Sequence, residues 1–146
     1  MSNSISRLFR IIEYLAASND WVSLRSMARE LEINPTSTFR ILDSLKELGY
    51  IRQDLQDSKY QLTLKITGVS AQVLENVQMR HIARPFLEDL TSRTNETTHL
   101  AILEGKQIVY IDKVDNSQAM RMRSRVGQRG ELYCTAVGKS LLAFYP

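Results

Sequence analysis

The 146-residue chain contains little that would support metal, disulfide or covalent chemistry. Its single cysteine, Cys134, excludes an internal disulfide, and His81 and His99 are its two histidines. These are few soft ligands, and their spacings match no metal-binding motif. We therefore expect no metal, no cofactor and a reducing, cytoplasmic environment.

Long hydrophobic runs are also absent. No stretch approaches the roughly 20 apolar residues of a membrane-spanning helix. The N-terminus lacks the basic segment and apolar run of a signal peptide. We expect neither export nor a membrane partner. The net charge of +3 is too small to indicate nucleic-acid binding by itself, because the position of charges matters more than their sum.

The first third of the chain carries three well-signalled helices. Apolar residues at helical spacing predict an amphipathic helix from Ser4 to Ala17. Ser23 is a suitable N-cap for a second, short helix. Asn34 caps a third helix, Pro35 suits its first position, and Gly49 suits a left-handed residue after its end.

The third helix has an apolar side and a polar side on a helical wheel. We expect the apolar side to belong to the core: it carries Ile41, Leu42, Leu45 and Leu48, with Phe39 at its margin, and Thr38 turns toward it. The polar side carries Thr36, Ser37, Arg40, Asp43, Ser44 and Glu47. Because phosphate would repel the two acids, only the first turns of this helix can face DNA closely.

Arg40 is the one long cation of that N-terminal polar surface. It can pair with O6 and N7 of guanine or with a backbone phosphate, and the sequence leaves both roles open. The N–H groups and the positive dipole end of the helix also favour phosphate.

A hairpin is predicted after the third helix. Tyr50–Gln53 and Tyr60–Leu62 alternate like strands around the polar segment Asp54–Lys59. Three helices followed by a hairpin describe a winged helix-turn-helix, which predicts DNA binding. Further candidate phosphate contacts are Arg7, Arg25, Ser26, Arg52 and Lys59, although the first three could equally be ordinary surface residues. A solvated turn accounts equally well for the hairpin tip, where Asp54 and Asp57 also lie.

The second half predicts a separate α+β module. A helical pattern from Leu64 to about Gln78 suggests a connector helix, and Arg84-Pro85 is expected to open another, with Phe86, Leu87 and Leu90 on its core face. "HLAILEG" and "IVYIDKV" are interpreted as strands, "AMRMRSRVG" as a third and "TAVGKSLLAFY" as a helix. In the third, Met and Arg alternate, which favours a strand with one buried face over a basic nucleic-acid arm.

The chain resembles the IclR family of bacterial transcriptional regulators. The resemblance is carried by "SISRLFRIIEYL", "SLRSMARELEINPTSTFRILDSLKELGYI", "YQLTLKI", "ARPFLEDLTSRTNETTHLAILEGKQIVYIDKV" and "CTAVGKSLLA", in the order and spacing of that family. It implies an α+β fold with a winged helix-turn-helix over residues 1–63, a linker helix over 64–79 and part of a GAF-like effector-binding domain over 80–146.

The resemblance also implies sites and partners. The recognition-helix positions fall on Thr36, Ser37, Thr38 and Arg40, the wing on Asp54–Lys59, and part of the effector pocket on Met122, Ala136 and Val137. The partners would be double-stranded DNA with a palindromic operator, a small-molecule effector if the effector domain is complete, and a second copy in a homodimer, with a tetramer as the larger assembly. Family members continue for about another hundred residues, so we expect the effector domain to be partial.

Two other functions remain open. The first helix and the connector offer apolar faces, so the chain could be mainly a dimerisation or interaction module with weak DNA binding. Cys134 with a histidine could serve nucleophilic catalysis, but a small buried cysteine and structural histidines are the simpler interpretation. We therefore expect a regulator of a metabolic or catabolic operon and no enzymatic activity.

Overall fold

The computed structural model describes residues 3–116 and 124–144. The chain forms two compact units, one up to Ala71 and the other from Gln72 onward. The division falls inside helix α4 (Lys65–Glu75), within the predicted linker. No described helix is both long and apolar enough to cross a membrane.

The N-terminal unit is built from three helices and a hairpin. These are α1 (Ser4–Ala17), α2 (Leu24–Glu30), α3 (Pro35–Glu47), β1 (Ile51–Gln53) and β2 (Tyr60–Leu62). The two strands pair antiparallel. The predicted winged helix-turn-helix is thereby confirmed.

The ends of these helices follow from local side-chain chemistry. The side chains of Asn3, Ser23 and Asn34 each accept a hydrogen bond from a backbone N–H in the first turn of α1, α2 and α3. Gly49 has φ +76°, and the N–H of Tyr50 donates to the carbonyl oxygen of Leu45 at 2.9 Å. That pair of features is the glycine-ended helix stop predicted from the sequence.

The core of the N-terminal unit lies where the three helices meet the hairpin. Its buried side chains are Ile11, Leu15, Met27, Ile33, Ile41, Leu42, Leu45, Ile51 and Tyr60. Tyr60 also pairs with Val22 through two backbone hydrogen bonds of 2.9 and 2.8 Å, which tie the hairpin to the segment before α2. The hairpin is thus fixed to the helices by both apolar and backbone contacts.

Two side chains of α3 are more exposed than the helical wheel predicts. Leu48, assigned to the core, is 57% exposed, and Phe39, placed at its margin, is 52% exposed. Leu48 is the C-cap residue, beyond the last turn that the core covers. The wheel fixes direction around the axis, but not how far along the axis the neighbouring elements reach.

The C-terminal unit places helices against a three-stranded antiparallel sheet. Helix α5 (Gln78–Thr94) packs on β3 (Thr98–Glu104) and β4 (Gln107–Val114). The sheet order is β3-β4-β5, with β5 at Arg129–Glu131, and α6 (Ala136–Leu142) contacts β4. Gly105, with φ +64°, forms the predicted turn between β3 and β4.

Helix α5 corrects the prediction made for this region. It begins at Gln78 rather than at Arg84-Pro85, and Pro85 lies inside it. Phe86 and Leu90, expected on its core face, are 73% and 49% exposed. Leu87, the third of these residues, is half-buried. Polar groups also join the helix to the sheet: the buried Thr91 hydroxyl hydrogen-bonds that of Thr98 at 2.7 Å.

The predicted third strand also differs from the structure. Most of "AMRMRSRVG" lies outside the described residues, and its last four residues, 124–127, are not strand. Gly127 has φ +86° and its N–H donates to the carbonyl oxygen of Tyr110 at 2.7 Å. This turn leads into β5, which therefore pairs with β4 a few residues later than expected.

We expect Leu42→Ala to lower the free energy of unfolding of the N-terminal unit by about 2–5 kcal/mol, because Leu42 is fully buried. Leu48→Ala, the same change on the same helix, should cost less than about 1 kcal/mol. Urea unfolding followed by the fluorescence of Trp21, the single tryptophan, measures both losses. Equal losses would contradict this assignment of the core.

Candidate nucleic-acid interface

The turn between α2 and α3 sets the position of the third helix. Ile33 is buried, and its N–H donates to the carbonyl oxygen of Ala28 at 2.9 Å. Glu32, just before it, has the left-handed φ of +53° that reverses the chain. Burial of Ile33 and this hydrogen bond hold the start of α3 against α2.

The N-terminal half of α3 presents small polar groups and one cation. Thr36 and Arg40 are exposed and Ser37 is half-buried. Asn34 accepts a hydrogen bond from the N–H of Thr36 at 2.9 Å. Toward the other end, Asp43 forms an ion pair with Lys46 at 3.5 Å. Negative charge is therefore confined to the C-terminal half, as the sequence predicts.

Thr38 does not belong to the exposed surface, contrary to its assignment as a DNA contact. It is 0% exposed, and its hydroxyl donates to the carbonyl oxygen of Asn34 at 3.2 Å. On the helix it lies beside Leu42, which is also fully buried. Its methyl group and satisfied hydroxyl make it a core residue, and we remove it from the candidate contacts.

A cavity of about 280 Å³ opens between α1 and α3. Five of its lining residues are polar: Ser4, Arg7, Ser37, Arg40 and Ser44. The structure thus brings Arg7 and Arg40, two predicted contacts that are 33 positions apart in the sequence, to the same cavity.

Three arginines in residues 3–71 form no hydrogen bond or ion pair through their side chains, and all three were predicted DNA contacts: Arg7, Arg25 and Arg40. The other cations of this segment are engaged. Arg10, for example, donates to the carbonyl oxygen of Leu31, and Lys65 to that of Leu48. Positive charge free to meet an external anion is therefore concentrated on the first turns of α1 and α2 and on α3.

Ser26, another predicted contact, takes part in the cap of its own helix. Its N–H donates to Ser23 Oγ at 3.1 Å, and the two hydroxyls lie 3.0 Å apart. Because Ser26 is half-buried, it is less accessible to an external ligand than the exposed Arg25 beside it.

The cations of the hairpin are held by their neighbours. Arg52 donates to Gln61 at 2.8 Å, and its guanidinium lies 5.1 Å from the ring centre of Trp21. Lys59 pairs with Asp57 at 3.0 Å, which raises the pKa of the lysine. Both remain candidate contacts, but DNA would have to compete with, or share, these partners.

The hairpin tip is a hydrogen-bonded turn with an apolar end. The Asp54 carboxylate accepts from the N–H groups of Asp57 and Gln56, each at 2.8 Å, and these bonds lower its pKa. Because these bonds favour the carboxylate, they are strongest at neutral pH and weaken on acidification, when the carboxyl is protonated. Leu55 at the tip is 99% exposed.

Sequence reasoning missed three residues of this surface. Ser4 lines the cavity, while Phe39 and Leu55 are exposed apolar side chains on α3 and the hairpin tip. Ser4 lies three residues before Arg7, the spacing of neighbours on one helix face, which is a signal that was present in the sequence. Phe39 has the same spacing from Thr36 on α3, whereas no comparable signal marked Leu55.

The predicted effector residues lie in the C-terminal unit or outside the described residues. Met122 is outside them. Ala136 is exposed and Val137 half-buried in the first turn of α6, which Thr135 caps by accepting from the N–H of Gly138 at 3.0 Å. Their role as an effector site stays a prediction.

Cys134 hydrogen-bonds neither histidine among the described residues, and its thiol donates to the carbonyl oxygen of Glu131 at 3.7 Å. Cys134 is exposed, not buried as expected. His99 lies 2.5 Å from the Ser124 hydroxyl, and burial, followed by the charge of Lys113, lowers the pKa of the histidine. No group of three potential metal ligands occurs in the described part of the chain.

Comparisons with known proteins agree with this architecture. Residues 4–55 match the model of the IclR helix-turn-helix domain, and residues 71–146 match that of the bacterial transcriptional regulator IclR C-terminal domain. The chain is 35% identical to the HTH-type transcriptional regulator KdgR of Escherichia coli over 97% of this chain and 54% of that protein. It is 30% identical to the HTH-type transcriptional regulator XynR of E. coli over 97% of this chain and 56% of that protein.

A solved structure shows the same relationship. The crystal structure of the Thermotoga maritima IclR superimposes with a TM-score of 0.77 at 33% identity, covering 100% of this chain and 59% of that one. The chain thus spans about half the length of the curated relatives it matches. With both family models matched in order along its length, the chain belongs to the IclR family of bacterial transcriptional regulators.

Proposed function

We propose that this chain is a sequence-specific DNA-binding regulator that controls transcription of a metabolic or catabolic operon. The observation that carries the proposal is that the side chains of Arg7, Arg25 and Arg40 in the helix-turn-helix unit have no hydrogen-bond or ion-pair partner among residues 3–71. Guanidinium groups bind phosphate well. Arg40 lies on the proposed recognition helix, and Arg7 and Arg25 lie on the two helices before it. Relatives named as HTH-type transcriptional regulators support the same function.

The proposed binding mode places the N-terminal half of α3 in the major groove. Thr36 and Ser37 are short, so the backbone of α3 can approach the bases, and the positive end of the helix favours the nearby phosphates. Asp43 and Glu47 lie farther along the helix and would be held away from the DNA backbone. Arg40 contacts either a base edge or a phosphate.

A homodimer on a roughly palindromic operator is the proposed assembly. The N-terminal unit has an apolar groove of about 300 Å³ lined by Leu8, Phe9, Ile12, Leu45, Leu48, Tyr50, Ile66 and Val69. Exposed apolar surface of this kind supports self-association. Two recognition helices about 34 Å apart would then enter successive major grooves.

The proposal includes a response to a small-molecule effector. Met122, Ala136 and Val137 would contribute to a site for a small metabolite, and binding there would shift the dimer between arrangements through α4. The cytoplasm is the proposed compartment and no catalytic step is proposed.

The alternative is an interaction module with weak DNA affinity, which the same apolar groove favours. The two functions differ in salt dependence, since release of counterions from DNA makes its binding steeply salt-dependent. Association through apolar surface alone depends on salt far less.

For the proposed regulator, we expect selection from a random duplex library to recover a roughly palindromic sequence. Contacts to about four to six phosphates per dimer predict a slope of about −4 to −5 for log K against log salt, and an affinity loss of roughly 10²–10³-fold from 50 to 200 mM. Fluorescence anisotropy measures the slope, and light scattering of the same sample measures the assembly. A flat titration, or no enriched sequence, would favour the interaction module.

A matched pair of variants on α2 tests where the phosphate contacts lie. Arg25 is exposed and has no side-chain partner among residues 3–71. Arg25→Gln should therefore make the slope of log K against log salt less steep by about 1 for each bound protomer, and should weaken binding to all duplexes alike. Arg29→Gln removes the same charge from the other end of α2, where it pairs with Glu30 at 3.0 Å, and should leave the slope unchanged. Equal slopes for both variants would exclude Arg25 as a contact.

A further inference from the structure

We propose that the cavity between α1 and α3 is a site for one phosphate of the DNA backbone, bound jointly by Arg7 and Arg40. The inference rests on the proposed DNA-binding function and deepens it. It assigns Arg40 to the backbone, where the sequence left a base edge and a phosphate as equal alternatives.

The cavity is formed by two helix faces that carry the same kinds of group. Ser4 and Arg7 are three residues apart on α1, and Ser37, Arg40 and Ser44 follow one another at three and four residues on α3. These spacings place each set on one side of its helix. Both helices therefore contribute serine and arginine residues to the lining of one cavity of about 280 Å³.

The charge in this cavity is unbalanced within residues 3–71. No acidic side chain lines it, and neither Arg7 nor Arg40 has a hydrogen-bond or ion-pair partner in that segment. Two like charges that share a cavity repel one another until an anion enters. A single phosphate, with several acceptor oxygens, satisfies both guanidinium groups.

The arginines of α5 provide a contrast in the same molecule. Arg80 and Arg84 also line one cavity, but the buried carboxylate of Asp112 lies there as well, 3.6 and 3.1 Å from their guanidinium nitrogens. Arg84 has a second partner in Glu88 at 2.7 Å. That pair of arginines is neutralised internally, whereas Arg7 and Arg40 are not.

Serine hydroxyls complete the site. Ser44 donates to the carbonyl oxygen of Arg40 at 3.1 Å and so belongs to the helix itself. The hydroxyls of Ser4 and Ser37 have no partner in residues 3–71, which leaves both able to donate to a phosphate oxygen. Donors from two helices would fix the register of α3 on the duplex.

Two other exposed side chains in the N-terminal half of α3, Thr36 and Phe39, would then meet the bases. Thr36 is about 100° around the helix from Ser37, and Phe39 lies beyond it on the side away from the cavity. A threonine methyl and an aromatic ring are suited to contact the methyl group of thymine. Binding of the phosphate by Arg7 and Arg40 would hold these two side chains in the groove.

The test uses the full chain and a palindromic duplex recovered from a random library. A series of duplexes, each with one neutral methylphosphonate per half-site, locates the phosphates that the protein needs. We expect one position at which the neutral substitution weakens the parent by about tenfold or more, and weakens Arg7→Gln and Arg40→Gln clearly less, because each variant keeps only one of the two guanidinium groups. The double variant should lose less than the product of the two single losses, because both residues share one partner.

Arg25→Gln is the matched control, since it removes an unpaired arginine at another place on the same unit. It should stay sensitive at the position shared by Arg7 and Arg40. Arg7→Lys and Arg40→Lys keep the charge and should keep most of the salt slope while they lose part of the affinity, because lysine cannot bind phosphate bidentately. Thermal unfolding of every variant confirms that the unit is folded.

Three results would overturn the inference. One is undiminished methylphosphonate sensitivity in Arg7→Gln at every position. Another is a change of base preference at one position of the selected sequence in Arg40→Gln, which would make Arg40 a base contact. After either result, salt-dependent binding by the parent protein would still support the proposed function. Absence of such binding by the parent would overturn both proposals.

Discussion

The buried side of α3 is the constraint on which the DNA-binding surface depends. Thr38, Ile41, Leu42 and Leu45 are all buried against the other elements of the N-terminal unit. Burial of each large apolar side chain contributes about 1.5–3 kcal/mol, so rotation of α3 about its axis would be strongly opposed. The side that remains outside is therefore fixed, and it is the one that carries Thr36 and Arg40.

The same packing explains how charge is arranged on this unit. Burial against α1 brings the first turn of that helix beside α3, so Arg7 and Arg40 share a cavity although neither has an ion-pair partner among residues 3–71. Elsewhere on the unit, cations are matched within short range, as in Lys46 with Asp43 and Lys59 with Asp57. A modest net charge of +3 is thus compatible with a concentrated cationic surface, because most other charges cancel locally.

The accuracy of the sequence predictions follows the range of the interactions involved. Helix starts at Ser23 and Asn34 and the stop at Gly49 were predicted correctly, since caps depend on groups within a few residues. The exposure of Leu48, Phe86 and Leu90 was predicted wrongly, because it depends on which elements pack nearby. Helix α5 shows this best: Thr91 and arginine side chains contact the sheet, whereas Phe86 and Leu90 are exposed.

By itself, the sequence determined the order of the elements, the winged helix-turn-helix, the polarity of α3 and the family to which the chain belongs. Those features follow from spacing, caps and turn residues, which are local. Only the tertiary structure decided that Thr38 is a core residue, that Arg52 and Lys59 already have partners, and that Ser4 and Arg7 face Ser37 and Arg40 across one cavity. The physical reason is that each half of that cavity is encoded on a separate helix, and their meeting depends on the core that packs α1 against α3.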